Sequence, residues 1–223
     1  MKIAIRSALM AATLAAMVFS MPATPAWAGP EEDYAEGTKH NLRGDVFASL
    51  PLLRRAADAG HAGAQAALGE LMRSTDFGAE ALDYFTKSAA QGNADGQYGL
   101  AGLLASGEGT TKNTGEAFKL LKLAAFQGHA RAIDAVAFAY LTGGMDVSAE
   151  ERQSPEALQW IRQSADGGYA SSMQGLANAY RTGDYGLPVD AKLAGQWAEK
   201  VRKLSGKPER KKRSSKIVIL EDK

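Results

Sequence analysis

Small and apolar residues recur along the chain in a fixed pattern around four glycines spaced 32, 36 and 40 residues apart: Gly60, Gly92, Gly128 and Gly168. Counted from each glycine, small side chains occupy positions −4 and −3, and a large apolar side chain occupies position −8. After the glycine, apolar side chains recur at positions +8 and +12. Spacings of three and four residues place side chains on one face of a helix. The pattern therefore predicts two helices per unit, one on each side of the glycine.

The central glycine predicts the turn between those two helices. Glycine readily adopts the left-handed backbone conformation that ends many helices. We call the helix before each turn glycine the A helix and the helix after it the B helix. One hairpin of this kind cannot bury its apolar face alone, whereas stacked hairpins cover one another. Four hairpins in series therefore predict a stack.

The connecting segments extend this prediction to residues 45–204. The first A helix is predicted over residues 45–59, and Ser154 and Pro155 have the N-cap and first-turn chemistry that opens the fourth. A fifth A helix over residues 190–204 has no B helix after it and is predicted to cap the stack. The predicted fold is all-α, a right-handed α-solenoid of about four antiparallel helical hairpins plus a C-terminal capping helix.

Two stretches of the repeat carry a resemblance to a known family. They are Gly60, Ala62, Ala64, Gln65, Leu68 and Gly69, and the segment from Gly186 to Ala194 followed by Trp197. Both resemble the SEL-1-like repeat, a relative of the tetratricopeptide repeat, and the resemblance covers roughly residues 47–201. It implies a non-catalytic protein–protein interaction scaffold or adaptor, a regulator of envelope assembly, signalling or secretion.

The same resemblance implies two further functions. Similar exported repeat proteins look like immunity proteins that bind and neutralise a secreted toxin effector, which is the alternative function. Some cysteine-rich exported relatives are associated with β-lactam binding or hydrolysis, but they pair cysteines within each unit. This chain has no cysteine, so an enzyme acting on the cell wall or on β-lactams is only a remote alternative.

The first 28 residues have the pattern of a cleaved signal peptide. Lys2 and Arg6 precede an uncharged apolar stretch over residues 7–20, and Ala26-Trp27-Ala28 has the form of a cleavage site. The apolar stretch is shorter than the roughly 20 residues of a membrane-spanning helix, which argues against an uncleaved anchor. We therefore expect export to the periplasm and a mature chain that starts at Gly29. Residues 29–44 carry four acidic side chains with weak periodicity and are predicted to be partly disordered.

Charge separates the chain into an acidic body and a basic tail. Residues 202–223 hold nine basic and three acidic side chains, whereas residues 29–201 carry a net charge of −7. The tail over residues 205–223 is predicted to be disordered. Two alternatives are an arm that makes weak contact with an anionic membrane surface or polymer, and a short strand formed by residues 217–220 on a partner's sheet edge. Nucleic acid is not an expected partner of an exported chain.

A search for catalytic and metal-binding motifs gives no candidate residue. His61 and His129 both follow a turn glycine and are expected to be turn residues, and His40 has no partner at a metal-ligand spacing. Gly102 and Gly107 have the spacing of a phosphate loop, but Glu108 stands where the lysine is required. The absence of cysteine excludes thiolate chemistry and cysteine-ligated metals. We therefore predict no catalytic residue, no cofactor and no metal.

Basic residues recur near positions −6 and −5 of the A helices and are the candidate partner-binding residues. We expect successive A helices to line the concave surface, where this row would read an acidic segment of another protein. The alternative is an ordinary solvated helix face, because Thr86, Gln163 and Glu199 interrupt the row. The aromatic residues at position −8 are expected to be core instead. The basic row consists of Arg54, Arg55, Lys87, Lys122, Arg162 and Lys200.

Overall fold

The computed structural model describes residues 29–73 and 78–206, and these ranges hold eleven α-helices. The predicted signal peptide and nearly all of the predicted tail lie outside the described residues. The helices are α1 (Pro30–Leu42), α2 (Val46–Asp58), α3 (Ala62–Arg73), α4 (Gly78–Ala90), α5 (Ala94–Ser106), α6 (Thr114–Phe126), α7 (Ala130–Thr142), α8 (Ala149–Arg152), α9 (Pro155–Asp166), α10 (Ala170–Thr182) and α11 (Ala191–Leu204).

The predicted all-α solenoid is confirmed. The A helices are α2, α4, α6, α9 and α11, and the B helices are α3, α5, α7 and α10. Each long helix packs against the long helix before it and the one after it. The predicted capping helix is α11, and it packs on α10 at the end of the stack. The core is therefore continuous from hairpin to hairpin, as expected for a repeat protein in which each unit contacts only its neighbours.

The first four A helices each end in the same hydrogen-bonded turn. The four turn glycines have φ between 79° and 95°, which glycine adopts without strain. At the first turn the N–H of Gly60 donates to the carbonyl of Ala57, and the N–H of His61 donates to the carbonyl of Ala56, both at 2.9 Å. The other three turns repeat this pair of bonds. This is the Schellman motif, and it confirms the predicted turn and leaves the next residue free to open the B helix.

The deepest row of the core lies one residue beyond the predicted aromatic row. At position −8 Trp160 is buried, and the other members are partly buried. At position −7 all four side chains are almost completely buried, with exposed fractions of 0, 2, 3 and 0%: Leu53, Phe85, Leu121 and Ile161. Burying an aliphatic or aromatic side chain of this size stabilises the fold by about 1.5–3 kcal/mol. Position −7 therefore contributes most to holding each hairpin together.

Buried glutamines link successive hairpins. The side-chain amide of Gln91 donates to the side-chain oxygen of Gln65 at 2.8 Å, and Gln127 donates to Gln97 at the same distance. A buried amide is stable only with a hydrogen-bond partner. In the next hairpin both glutamines of this pair are absent. Ile133 stands in place of the buried glutamine, and a glycine stands in place of the glutamine that donates to it. No buried amide is left without a partner by that exchange.

Residues 30–42 form a helix where a partly disordered segment was predicted, so that prediction is wrong. Pro30 occupies the first turn of α1 together with three acidic residues, an arrangement that suits a helix N-terminus. Asp33 is buried and accepts hydrogen bonds from Arg55 Nε at 2.9 Å and Nη2 at 2.5 Å. This ion pair holds α1 against α2, and the solenoid therefore begins at α1 rather than at residue 45.

The long connector between α7 and α9 contains the short helix α8. The guanidinium of Arg152 donates to the carbonyl of Tyr140 at 3.1 Å and to that of Leu141 at 2.9 Å. In the preceding hairpin the backbone N–H of Asn113 donates to the equivalent carbonyl, that of Leu104, at 2.8 Å. Where the connector is longer, a side chain therefore replaces the backbone donor, and the last carbonyl groups of the B helix keep their hydrogen-bond partners.

Candidate functional site

The B helices form the concave side of the stack. Helix α1 contacts α3, α3 contacts α5, and α7 contacts α10, whereas among the described residues no A helix makes a comparable contact with the next A helix. In a curved stack the helices on the concave side crowd together and those on the convex side spread apart. The expectation that the A helices line the concave surface is therefore wrong.

Small residues explain why the B helices are the ones that crowd together. Position +9 carries glycine or alanine in all four B helices, and the same is true of position +7. Gly175 of α10 is one of these residues, and it lies directly against the side chain of Leu141 of α7. Side chains of this size allow two helix backbones to approach closely.

A groove runs along this concave side. Between α5 and α7 a cleft of about 290 Å³ is lined by Tyr98, Gly102 and Ala105 on one side and by Arg131 and Ala135 on the other. A second cleft of about 250 Å³ lies towards α1 and α3 and shares Tyr98 and Arg131 with the first. We call the two clefts together the inner groove. It lies where α5 and α7 are not joined by direct packing of the kind that joins α3 to α5.

The charged side chains of the inner groove are mostly compensated within the chain. Arg73 donates to Glu70 from Nε at 3.1 Å and from Nη2 at 2.7 Å, and this hydrogen-bonded pair raises the pKa of Arg73. Arg131 is exposed, and its guanidinium carbon lies 4.8 Å from the centre of the Tyr98 ring. Its guanidinium forms no hydrogen bond or ion pair with any residue that the structure describes.

Two histidines tie neighbouring B-row helices together at the rim of the groove. Nδ1 of His129 accepts the N–H of Ala132 at 3.1 Å, and Nε2 lies 3.1 Å from Asp95 of α5. Its ring stacks on Tyr98 with the ring centres 4.7 Å apart. Because Nδ1 accepts, Nε2 carries the hydrogen that is donated to the carboxylate. His61 makes the same three contacts, with Ala64, Glu31 and Tyr34. Both histidines are turn residues, as predicted.

The predicted basic row lies on the convex side. Three of its members are held in ion pairs within the chain: Arg55 with Asp33, Lys87 with Asp83 at 2.6 Å and Lys122 with Glu156 at 2.5 Å. Lys200 lies over the ring of Trp197, 3.7 Å from its centre. Arg54 and Arg162 are exposed. The structure therefore places the six residues on one row of helices but does not assemble them into a continuous free stripe.

Lys122 belongs to a polar cluster that joins three helices. Glu156 accepts from Lys122 at 2.5 Å and from the indole N–H of Trp160 at 3.3 Å. The bond from Lys122 lowers the pKa of Glu156. Burial raises the pKa of Tyr140, which also contacts Glu156, to about 12. Through these contacts the cluster joins α6, α7 and α9.

The described residues were also compared with the patterns of a metal site and of a membrane-spanning helix. No group of three or more histidine, cysteine, aspartate or glutamate side chains in the described ranges is arranged to hold a metal ion. None of the helices over residues 29–73 and 78–206 is both long and apolar enough to cross a membrane.

Comparisons with known proteins agree with this architecture. The family model for the Sel1 repeat matches residues 62–93, 94–129, 130–169 and 170–201. Each matched unit begins with a B helix and ends with the next A helix, so α11 is the second helix of the last unit. No significant match is found among curated proteins.

Two solved structures have the same fold. A Sel1 repeat protein from Oxalobacter formigenes is 26% identical, with a TM-score of 0.63, and the match covers 79% of this chain and 71% of that one. The protein c5321, a protective antigen of uropathogenic Escherichia coli strains that displays an SLR fold, is 24% identical with a TM-score of 0.64. That match covers 78% of this chain and 38% of c5321. Because the four repeat matches span more than half of its residues, the chain belongs to the Sel1 repeat family.

Proposed function

We propose that this protein is an exported, non-catalytic scaffold that holds a segment of another protein in the inner groove. Sel1 repeats generally serve as protein-interaction scaffolds. The observation that carries the proposal is the groove on the concave side of the B helices, with Tyr98 and Arg131 at its centre. Its work in the envelope is that of an adaptor.

The surface of the groove suits a polypeptide segment. The cleft between α5 and α7 is at the lower limit of volume for a site that encloses a small molecule. Its lining by Gly102, Ala105 and Ala135 lets a peptide backbone approach the helices closely. Arg131 and Tyr98 supply a charge and an aromatic face, and both residue types are enriched where interfaces are tight.

Export is supported by the composition of residues 1–28, which has the three regions of a signal peptide. N-terminal sequencing of the protein recovered from the periplasmic fraction tests this part of the proposal. We expect a mature chain that starts at Gly29. Recovery of the full-length chain from the cytoplasm would contradict it.

Blocking the groove tests the binding function. Gly102 faces the groove, and a side chain added there meets no atom within 4 Å. We expect Gly102→Trp to abolish capture of partner proteins from the periplasm, because the indole fills the cleft. Gly195 of α11 is equally open but lies on the convex row, so Gly195→Trp is the matched control and should capture the same proteins as the unmodified chain. Equal capture by the two variants would overturn the proposal.

The identity of the captured protein distinguishes an adaptor from an immunity protein. An envelope component supports the adaptor function, and a secreted toxin effector that loses its activity when bound identifies an immunity protein. Turnover of muropeptides or of a β-lactam by the purified chain would contradict the non-catalytic function.

A further inference from the structure

The Arg131 guanidinium is presented to the groove with its hydrogen-bonding capacity unused by the described residues. Its contact is with the face of Tyr98 at 4.8 Å, and such a cation–π contact orients the guanidinium without occupying its N–H donors. Those donors form a rigid fork that matches the two oxygens of a carboxylate. Arg131 is therefore preorganised for an acidic group that no residue over 29–73 and 78–206 supplies.

The acidic side chains that line the two clefts do not pair with Arg131, because Glu70 and Asp95 are engaged elsewhere and the exposed Glu108 forms no ion pair with it. Glu70 is paired with Arg73, and Asp95 accepts from His129 at 3.1 Å. Asp134, one turn from Arg131 on α7, accepts from Ser164 at 3.0 Å. Asp95 and Asp134 each bond to a residue of a neighbouring helix, so releasing one of them to pair with Arg131 would cost a hydrogen bond between helices. Glu70 is paired within α3.

An exposed aromatic residue lies on the same face of α7. Phe138 is seven residues beyond Arg131, which returns it to the same side of the helix, and 53% of its surface is exposed. Seven residues of helix span about 10 Å. An extended chain covers that distance in about three residues.

We infer that an extended segment of a partner protein binds along the inner groove and the adjoining face of α7, and that it carries an acidic side chain for Arg131 and a large apolar side chain three residues away for Phe138. The inference deepens the proposed function and rests on it. Charge complementarity selects this occupant, because the Arg131 guanidinium has no ion pair among the described residues and the exposed ring of Phe138 lies on the same face of α7.

The test uses peptides, so that it does not depend on knowing the partner. A random peptide library displayed on phage is selected on the mature chain, residues 29–223, and enriched sequences are made as fluorescein-labelled peptides for anisotropy titration. We expect enriched peptides to carry aspartate or glutamate three residues from a large apolar side chain. Their affinity should fall at least tenfold for Arg131→Gln and for Phe138→Ala, and it should weaken with added salt.

The control is the same substitution on the opposite side of the stack. Arg162 is also exposed but belongs to α9 of the convex row, so Arg162→Gln should bind the peptides as tightly as the unmodified chain. Circular dichroism and melting temperature establish that every variant folds. Arg131→Lys keeps the charge but loses the fork, and we expect it to bind more weakly than the unmodified chain and more tightly than Arg131→Gln.

Several results would overturn the inference. The first is enrichment of peptides without acidic residues. The second is that every enriched peptide still binds to Arg131→Gln. The third is self-association of the chain that depends on Arg131. Periplasmic capture separates this failure from failure of the proposed function. A partner that is retained by Arg131→Gln and lost by Gly102→Trp contradicts the acidic-segment inference alone, whereas a partner retained by both contradicts the use of the groove.

Discussion

Ser49 is completely buried at position −11, where the other three hairpins carry alanine: Ala81, Ala117 and Ala157. Its hydroxyl has no hydrogen-bond partner, and a buried unpaired hydroxyl costs about 1 kcal/mol or more. We therefore expect Ser49→Ala to increase the free energy of unfolding by about 1 kcal/mol, measured by urea denaturation.

The control for this prediction is a buried serine that is satisfied. The hydroxyl of Ser88 donates to the carbonyl of Ala62 at 2.8 Å, so Ser88→Ala should lower the free energy of unfolding by about 1 kcal/mol. A stability loss for Ser49→Ala as large as that for Ser88→Ala would show that the Ser49 hydroxyl is hydrogen-bonded in solution.

Phe85 is the largest side chain of the buried −7 row, and glycine makes room for it. A Cβ placed on Gly99 would lie 2.1 Å from the ring of Phe85. We expect Gly99→Ala to destabilise the fold by about 1–3 kcal/mol through overpacking, measured by thermal and urea unfolding. Gly102→Ala one turn later meets no atom within 4 Å and should instead stabilise the helix by about 0.5–1 kcal/mol.

A double variant checks that the clash with Phe85 is the cause of the stability loss in Gly99→Ala. The other hairpins have leucine or isoleucine at this position, so adding Phe85→Leu to Gly99→Ala should recover part of the lost stability. Strict additivity of the two changes would contradict direct contact between the residues.

At the scale of single helices, the residue after each turn glycine completes the turn that ends the A helix and also begins the B helix. The turns are short for this reason. His129 caps α7 through Nδ1, and Asn93 caps α5 through its side-chain oxygen at 2.9 Å. We expect His129→Ala to cost about 1 kcal/mol, the usual value of an N-cap. His129→Asn should keep the cap and lose less stability, and equal losses in urea denaturation would show that the cap is unimportant.

The attachment of α1 depends on Asp33 and therefore on pH. The hydrogen bonds from Arg55 lower the pKa of Asp33 below its ordinary value of 3.8. Because the folded-state pKa is lowered, the stabilising effect of this pair is complete above about pH 3.8 and disappears as the pH falls through the lowered value. The protection factors of the α1 amides, which are corrected for the pH dependence of intrinsic exchange, should fall at acidic pH in the unmodified chain. Asp33→Asn should show low protection in α1 at neutral pH as well, and high protection there would contradict the role of the pair.

Much of the helical pattern could be predicted from the sequence because the same turn pattern recurs in four units. The helix α1 was missed because it covers the end of the stack, so few of its side chains need to be apolar and its periodicity is weak. Pro30 and the acidic residues that follow it were the available signal for a helix start. Repeated chemistry is easier to recognise than a helix that occurs once.

The candidate site could not be predicted in the same way. Aligning repeats shows what the units share, and the shared residues build the core. Tyr98 and Arg131 stand at positions where the four units carry different residues, so the repeat pattern does not select them. The sequence also does not show which row of helices is concave, because that depends on how closely packed helices approach, and the basic row was therefore placed in a groove on the wrong side.

At the scale of the whole molecule, the stack should be independent of the basic tail. Helix α11 already covers α10, with Ala194 buried and Trp197 packed against the main core. We expect a chain that ends at Gly206 to keep the helical content and melting temperature of the full chain. A chain that ends at Val189 lacks α11 and should melt at a lower temperature, because α10 is uncovered. A large effect of the first truncation would show that the tail is part of the fold.

The direct test of the central claim is photocrosslinking in the periplasm with a benzophenone amino acid placed at one position at a time. Position 138 lies on the same face of α7 as Arg131 and already carries an exposed aromatic ring, so the probe does not fill the cleft, and position 162 lies on the convex row. A scaffold that binds its partner along the concave B helices predicts a crosslinked partner from position 138 and none from position 162. A partner crosslinked only from position 162 would contradict it.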